Sequence, residues 1–454
     1  MSIRLDTLRF SLAILLALFT VQLTSAQGFN GGVFQSAIGG IVFDTDGVLS
    51  KEPARLEPNV RNELLKSLSA VDNDITKTGM RMISLKGLEA QVAKAHAQQQ
   101  PLPADVQYMA GLQRLEYVIV DKENNDILLA GPAEPWMVTE AGAVVGKTSG
   151  TPVLHLEDFI VAMRTVNDAR QDLGISVSID PTAEGARTLQ RFLGSLKSFH
   201  PNMSDRVAQA YGPQQITLTG VPKDSRFSQI LVTADYKMKR LAMGLEQSPI
   251  EDFPSLLEIA RRKDARFKNA APRFWMECNY EPLAKDADGT IFQIRGSGVK
   301  ALTEDQYFDK DGNRTGKAKT NKFAKQWADS MTERFDELAA ADPAFRELRN
   351  IMDMSVAAAI IEQNRLVAKT NLELSNIASS DEQFISLPAR NVPVTIPAEC
   401  SFVHLSRSWL VTASGGVQVD SWSVASNTEV LDGVDKIADV AMARTAERWW
   451  WNAK

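Results

Sequence analysis

The chain has 454 residues, 44% hydrophobic and 23% charged, a balance that excludes a disordered polypeptide and predicts two or three globular domains. Its formal net charge of −6 argues against a nucleic-acid partner, because phosphate backbones are held by clustered Lys and Arg. After residue 26 no stretch approaches the roughly 18 consecutive apolar residues of a membrane span, so no transmembrane segment is expected there.

The N-terminus carries an address. Arg4 and Arg9 precede an apolar run over 10–23 broken only by Ser11, Thr20 and Gln22, and Thr24-Ser25-Ala26 places small residues before Gln27. This pattern predicts a signal peptide (1–26) cleaved after Ala26. The run has 14 residues, and about 20 are needed to cross a bilayer, so cleavage is favoured over an uncleaved anchor. No cysteine follows it for lipid attachment, and removing Arg4, Asp6 and Arg9 takes away one net positive charge. The mature chain is therefore expected to be exported, periplasmic or extracellular. In an oxidising compartment Cys278 and Cys400, the only cysteines, are expected to form one disulfide; the alternative is two unrelated buried thiols.

In chain order, 39–50 (GGIVFDTDGVLS) reads as a β-hairpin around an Asp-rich turn closed by Gly47. Residues 58–71 read as a helix with Val60, Leu64, Leu65 and Leu68 on one face, and a second helix follows Lys86 and stops before Pro101 and Pro103. Runs 115–120 and 127–130 form a hairpin across the polar loop 121–126, completing an N-terminal α+β module (27–140). The small-residue stretch 141–152 (AGAVVGKTSGTP) reads as a linker to a C-terminal α+β domain (153–454). There, helix 156–170, strand 175–179, helix 182–196, strand 215–218 and helix 225–243 alternate as in a sheet covered by helices. Short strands follow at 274–278, 290–294 and 299–302, then helices at 322–340 and 344–369. In the latter, VAAAII (356–361) is apolar on every face and so expected to be buried all round. Pro388, Pro393 and Pro397 mark a loop or edge strand; 402–412 and 416–422 read as a hairpin turning at Ser414-Gly415-Gly416, and 431–451 as a closing helix. The fold class is α+β, with mixed sheets, short hairpins and packed helices in two modules.

Several long strings (LEYVIVDKENNDILLAGPAEPW, VLHLEDFIVAMRT, VSIDPTAEGARTLQRFL, DSRFSQILVTADYKMKRLAMGL, IRGSGVKALTED, FDELAAADPAFRELRNIMDM and ASGGV) resemble a domain of unknown function found in exported proteins of planctomycete bacteria. The resemblance runs in order over roughly 115–417. It implies an extracytoplasmic bacterial protein and brings no activity or catalytic residue with it.

The candidate chemistry is sparse. Val42 to Leu49 (VFDTDGVL) resembles the first motif of haloacid-dehalogenase-type phosphatases, which would make Asp44 a nucleophile and Asp46 an acid/base beside Mg²⁺. That family needs a parallel strand entering a crossover helix, while Pro53 and Pro58 interrupt the segment C-terminal to the motif. The Asp-x-Asp-Gly string also recurs at Asp286–Gly289 and Asp309–Gly312, which points to turn chemistry. The third copy starts like a calcium loop, with Asp309, Asp311 and Asn313 in ligand positions. Arg314 and Thr320 stand where Gly and a bidentate Glu belong. Gly146-Lys147-Thr148 resembles the end of a phosphate-binding loop whose first Gly is replaced by Ala141, so a flexible connector is expected. His96, His155, His200 and His404 lie too far apart to suggest a zinc motif, and no cofactor or metal site is expected. Trp449, Trp450 and Trp451 end the closing helix; two are expected in the core and one partly exposed, where a protein, glycan or membrane interface could meet it. The reading is an exported non-catalytic binding or structural protein of the cell envelope or exterior. The alternative is a secreted hydrolase, a Mg-dependent phosphatase using Asp44 and Asp46.

Overall fold

The computed structural model describes residues 42–43, 49–50, 75–171, 174–195, 203–263, 270–308, 314–319, 321–381, 384–405, 408–411, 414–437 and 448–453. In chain order the elements are β1 (Val42–Phe43), β2 (Leu49–Ser50), β3 (Thr78–Ser84), α1 (Leu85–Ala97), α2 (Ala104–Gln107), β4 (Tyr117–Asp121), β5 (Asp126–Ala133), β6 (Trp136–Val138) and β7 (Val144–Gly146). Then come α3 (Leu156–Gln171), β8 (Ile175–Pro181), α4 (Ala183–Ser195), α5 (Ser204–Tyr211), β9 (Gln214–Thr219), α6 (Arg226–Ala242) and α7 (Leu256–Arg262). The next group is β10 (Ala270–Asn279), β11 (Leu283–Lys285), β12 (Ile291–Gln293), β13 (Gly298–Phe308), β14 (Arg314–Lys319), α8 (Lys322–Glu333), α9 (Phe335–Ala341) and α10 (Pro343–Gln363). The chain closes with α11 (Leu366–Lys369), α12 (Ser375–Ala378), β15 (Thr395–Ile396), β16 (Phe402–Leu405), β17 (Ser408–Val411), β18 (Ser414–Val419), α13 (Ser421–Ser426), β19 (Thr428–Val430) and β20 (Trp450–Asn452).

This is an α+β fold built on two seven-stranded mixed sheets. The first runs β14-β13-β10-β18-β8-β9-β15, antiparallel except for β10 beside β18. The second runs β19-β11-β12-β4-β5-β3-β20, antiparallel except for β11 beside β19. Alternation explains β8: Ile175, Val177 and Ile179 are buried while Ser176 and Ser178 between them are half-buried. The second sheet takes strands from both sides of 141–152, a stretch that itself contains β7 paired with β6.

Helices fill the space between. Ser225 caps α6 by accepting a hydrogen bond from the Ser228 N–H at 3.1 Å. The helix lies across β8, β10 and β18. Lys239, 3% exposed, ties it down by donating to the carbonyl of Ile179 at 2.7 Å and to Asp235 at 3.0 Å. Asp342 caps α10, with Pro343 in the first turn where a missing N–H costs nothing. α10 touches β4 of one sheet and β13 of the other and packs on α3, α6 and α13, so VAAAII is buried all round as expected.

Two expectations at the C-terminus fail. Residues 402–411 do form a hairpin, β16 with β17, but 414–419 is no turn: β18 is an inner strand between β10 and β8. A Cβ on Gly415 would fall 1.6 Å from the Phe274 carbonyl oxygen, and one on Gly416 2.2 Å from that of Val177. The glycines are there because neighbouring backbones come close. The closing helix does not run through the indoles, and residues 438–447 lie outside the described residues. Val430 ends β19, and Trp450–Asn452 is a strand pairing antiparallel with β3. Strand alternation sends Trp450 into the main core and Trp451 into a smaller core on the sheet's other face. All three indoles are buried, with the Arg81 guanidinium 4.9 Å above the Trp450 ring.

At the other end, Val42 pairs with Ser50 and Phe43 with Leu49, the antiparallel arrangement that the turn reading of 39–50 expects. Asp44 and Asp46, the signal peptide and the predicted helix 58–71 lie outside the described residues.

Candidate functional site

α3 presents Glu157, Val161, Arg164, Thr165 and Asp168 at helical spacing along one face. Facing them is the loop from β9 into α6, where Gly220, at φ +73, turns the chain toward Val221, Pro222 and the Ser225 cap. Leu387, Pro388 and Ala389 form the third side. Together they enclose a cleft of about 470 Å³ whose lining mixes aliphatic with polar and charged side chains.

The third side is strapped down by arginines. Arg390 donates from one terminal nitrogen to both oxygens of Glu157, at 2.8 and 3.0 Å, a charge-assisted contact that ties the strap to α3. Its backbone N–H donates to the Asp224 carbonyl at 2.6 Å. Further along, Arg164 donates to the carbonyls of Asn376 at 2.6 Å and Ile385 at 2.8 Å.

Behind the cleft lies a buried charge network. Arg226, at the first position of α6, donates to Asp158 of α3 and, at 2.9 Å, to Glu347 of α10. The imidazole Nδ1 of His155 is 3.8 Å from Glu157, and the ring of Tyr108 meets it edge-on at 5.2 Å. Three carboxylates thus face two guanidinium groups at largely buried positions, one negative charge too many. Burial raises the carboxyls of Asp158 and Glu347, although Arg226 opposes it in both. Glu157 goes the other way: burial would raise it, but Arg390, His155 and Arg226 together hold it well below the carboxylate range. Burial, with Arg226 next, pushes His155 down to about 4, which keeps the imidazole neutral. Burial also lifts the Tyr108 hydroxyl to about 12. These ion pairs clamp α3, α6, α10 and the 384–391 strap together.

A second cleft, of about 680 Å³, opens at the far end of α6 against α7, bordered by Gly244, Glu246, Asp252, Phe253, Glu258 and Arg261. Buried charge backs it too: Arg240 donates to Glu246 at 3.0 Å and to Glu399 at 2.6 Å, and Lys237 to Asp342 at 2.5 Å.

The residues singled out in the sequence fall elsewhere. Asp286–Gly289 is a turn between β11 and β12: Asp286 accepts from the N–H groups of Thr290 at 2.7 Å and Ile291 at 2.9 Å, and Gly289 has φ +62. Residues 309–313 lie outside the described set, as does His200. The 146–151 stretch is pinned, against the expectation of a flexible connector. Glu134, fully buried, accepts from the Ser149 N–H and from Gln113 Nε2, each at 2.9 Å. Burial would raise Glu134, but the Ser149 hydroxyl and N–H, then Gln113, outweigh it and lower the carboxyl. His96 lies on α1 and His404 on β16; only His155 joins the network.

The expected disulfide is absent, and Cys278 and Cys400 are both free thiols. Cys278 lies on β10 against the main core, and Cys400 packs on a separate small cluster with Leu189, Val207 and Tyr211. Burial pushes each thiol up to about 12, which makes both poor nucleophiles.

The sequence reading missed Glu157, Asp158, Arg226, Glu347 and Arg390. A usable signal existed: each of the first four is a charged residue with apolar neighbours three or four positions away on a helix, where a solvated charge is not expected.

The profile of a family described as Protein of unknown function (DUF1598) matches residues 177–255, from β8 through α6 to the Ser255 cap of α7. That stretch supplies the Gly220–Arg226 wall of the cleft. No curated protein and no solved structure matches the chain.

Proposed function

We propose that the protein is an exported, non-catalytic binding protein of the bacterial cell envelope or exterior, and that the cleft between α3, the 220–226 loop and the 384–391 strap receives its ligand. One observation carries this reading: among the described residues Glu157 and Arg226, the buried ionisable groups lining the cleft, each hold ion-pair partners, so neither stands in the preformed cleft as a free base or nucleophile. An active site would keep such a group available to substrate. The leader over 1–26 supports export, with a mature N-terminus at Gln27. The resemblance over 115–417 supports a planctomycete source.

The test compares native and denaturing mass spectra of the mature protein from its own organism, beside Ala389→Trp. Ala389 is exposed at the mouth, so the substitution fills the cleft and spares the core. A bound mass in wild type that is lost in the variant is expected. No bound mass, or one indifferent to Ala389→Trp, contradicts the cleft. Mg²⁺-dependent hydrolysis of a phosphate ester that disappears in Asp44→Asn would replace the reading with the phosphatase.

A further inference from the structure

The second cleft shares no residue with the first and is walled differently. Gly244, at φ +64, turns the chain out of α6, and the segment that follows loops round to α7. The loop is held in shape. Ser255 accepts from the Glu258 N–H at 3.2 Å while Glu258 accepts from the Ser255 N–H at 2.8 Å, a capping box that fixes the start of α7. Ser248 donates to the Ile250 carbonyl at 2.9 Å. Glu246 is fixed from behind, with Arg240 at 3.0 Å from one oxygen and Lys237 at 3.3 Å from the other.

On this fixed frame stand side chains that nothing else claims. Gln247, Asp252, Arg261, Arg262 and Ser401 all line the cleft, and among the described residues none has a side-chain hydrogen bond or ion pair. Small-molecule sites are mostly apolar with a few polar groups; here most of the lining is polar. The charges also balance. With Glu246 spent on Arg240 and Lys237, Asp252 and Glu258 stand against Arg261 and Arg262, so an ion of either sign meets no net field. Ile250 and Leu257 contribute apolar surface between the polar groups.

We infer that this cleft binds a neutral saccharide. A sugar hydroxyl donates one hydrogen bond and accepts two. Asp252 can only accept, Arg261 and Arg262 can only donate, and Gln247 and Ser401 do both, so the wall answers hydroxyls whichever way they point. The C–H faces of the ring match Ile250 and Leu257. The volume of about 680 Å³ lies well inside the range of about 300 to 1,000 Å³ for small-molecule sites, which leaves room for more than one sugar ring. The core of a protein interface, by contrast, is depleted in Ser, Asp and Glu.

Titration calorimetry on the full mature chain tests the site with maltotriose, cellotriose and chitotriose as neutral probes and with trialanine and inorganic phosphate as charged ones. Saturable binding of at least one trisaccharide is expected, insensitive to added potassium chloride because salt screens only charges. Asp252→Asn keeps a residue type that tolerates the φ of +50 at that position. It and Arg261→Gln should each weaken the sugar at least tenfold, and both positions are exposed, so the fold is spared. Ala389→Trp, which fills the first cleft, should leave sugar binding unchanged. No saturable trisaccharide binding, binding unchanged in both Asp252→Asn and Arg261→Gln, binding lost in Ala389→Trp, or binding of trialanine or phosphate in place of the sugars overturns the inference.

Discussion

Replacing His155 by Gln should change how stability depends on pH, and the sign can be worked out. In the folded chain the imidazole titrates at about 4, against 6.5 for an unperturbed histidine. Above pH 6.5 both folded and unfolded states hold it neutral. As pH falls from 6.5 to 4 only the unfolded chain takes up the proton, so wild type loses stability across that window. At about 1.4 kcal/mol per pH unit the full loss is about 3 kcal/mol, of which about 2 to 3 kcal/mol is spent between pH 7 and pH 4.5. Gln cannot titrate and escapes the loss. Asp158 works in the opposite direction: its raised carboxyl takes up a proton in the fold before the unfolded chain does, so its contribution to stability rises as pH falls. In wild type the two offset; in His155→Gln the gain from Asp158 is uncovered. Urea unfolding followed by tryptophan fluorescence at pH 7 and pH 4.5 measures both proteins. The stability of the variant minus that of wild type should rise by about 2 to 3 kcal/mol at the lower pH. A difference that is the same at both pH values would show that His155 is not held neutral and refute the charge accounting of the network.

Lys239→Met removes the buried ammonium that Asp235 and the Ile179 carbonyl accept from, leaving a carboxylate without its partner. The denaturation midpoint should report a loss of about 3 to 5 kcal/mol; a loss under about 1 kcal/mol would mean that water reaches this site. Gly415→Ala places a methyl group against the Phe274 carbonyl and should abolish soluble expression, since β18 would have to leave the sheet. A soluble variant with the wild-type melting profile would contradict the strand order. Titration with a thiol reagent after unfolding without reductant should count two thiols, and the native protein should react slowly at both; none after unfolding would restore the disulfide.

Legibility followed the range of the interactions. α3 and α6 stand out in the sequence because an apolar stripe of period 3.6 is a local signal, sharpened in α6 by Ser225 at its start. The β4–β5 hairpin was equally legible, two apolar runs meeting across a polar turn. Ser414-Gly415-Gly416 misled because a glycine pair serves a turn or a crowded inner strand equally well. Its neighbours β10 and β8 lie far away in sequence. The cysteines misled because an even count says nothing of distance. The charge network was hidden for the same reason: Arg226 and Glu347 are 121 positions apart, and Arg390 and Glu157 233. A buried charge can be suspected from one helix; its partner is found only in the fold.

A crystal structure of the mature protein, purified from its own organism without stripping small molecules, tests the central claim most directly. Density for a ligand between Val161, Val221 and Leu387, with Arg226 still joined to Asp158 and Glu347, is the predicted result. An empty cleft with the ligand bound elsewhere, or a ligand that draws Glu157 or Asp158 out of its ion pair and into contact with a scissile bond, would contradict it.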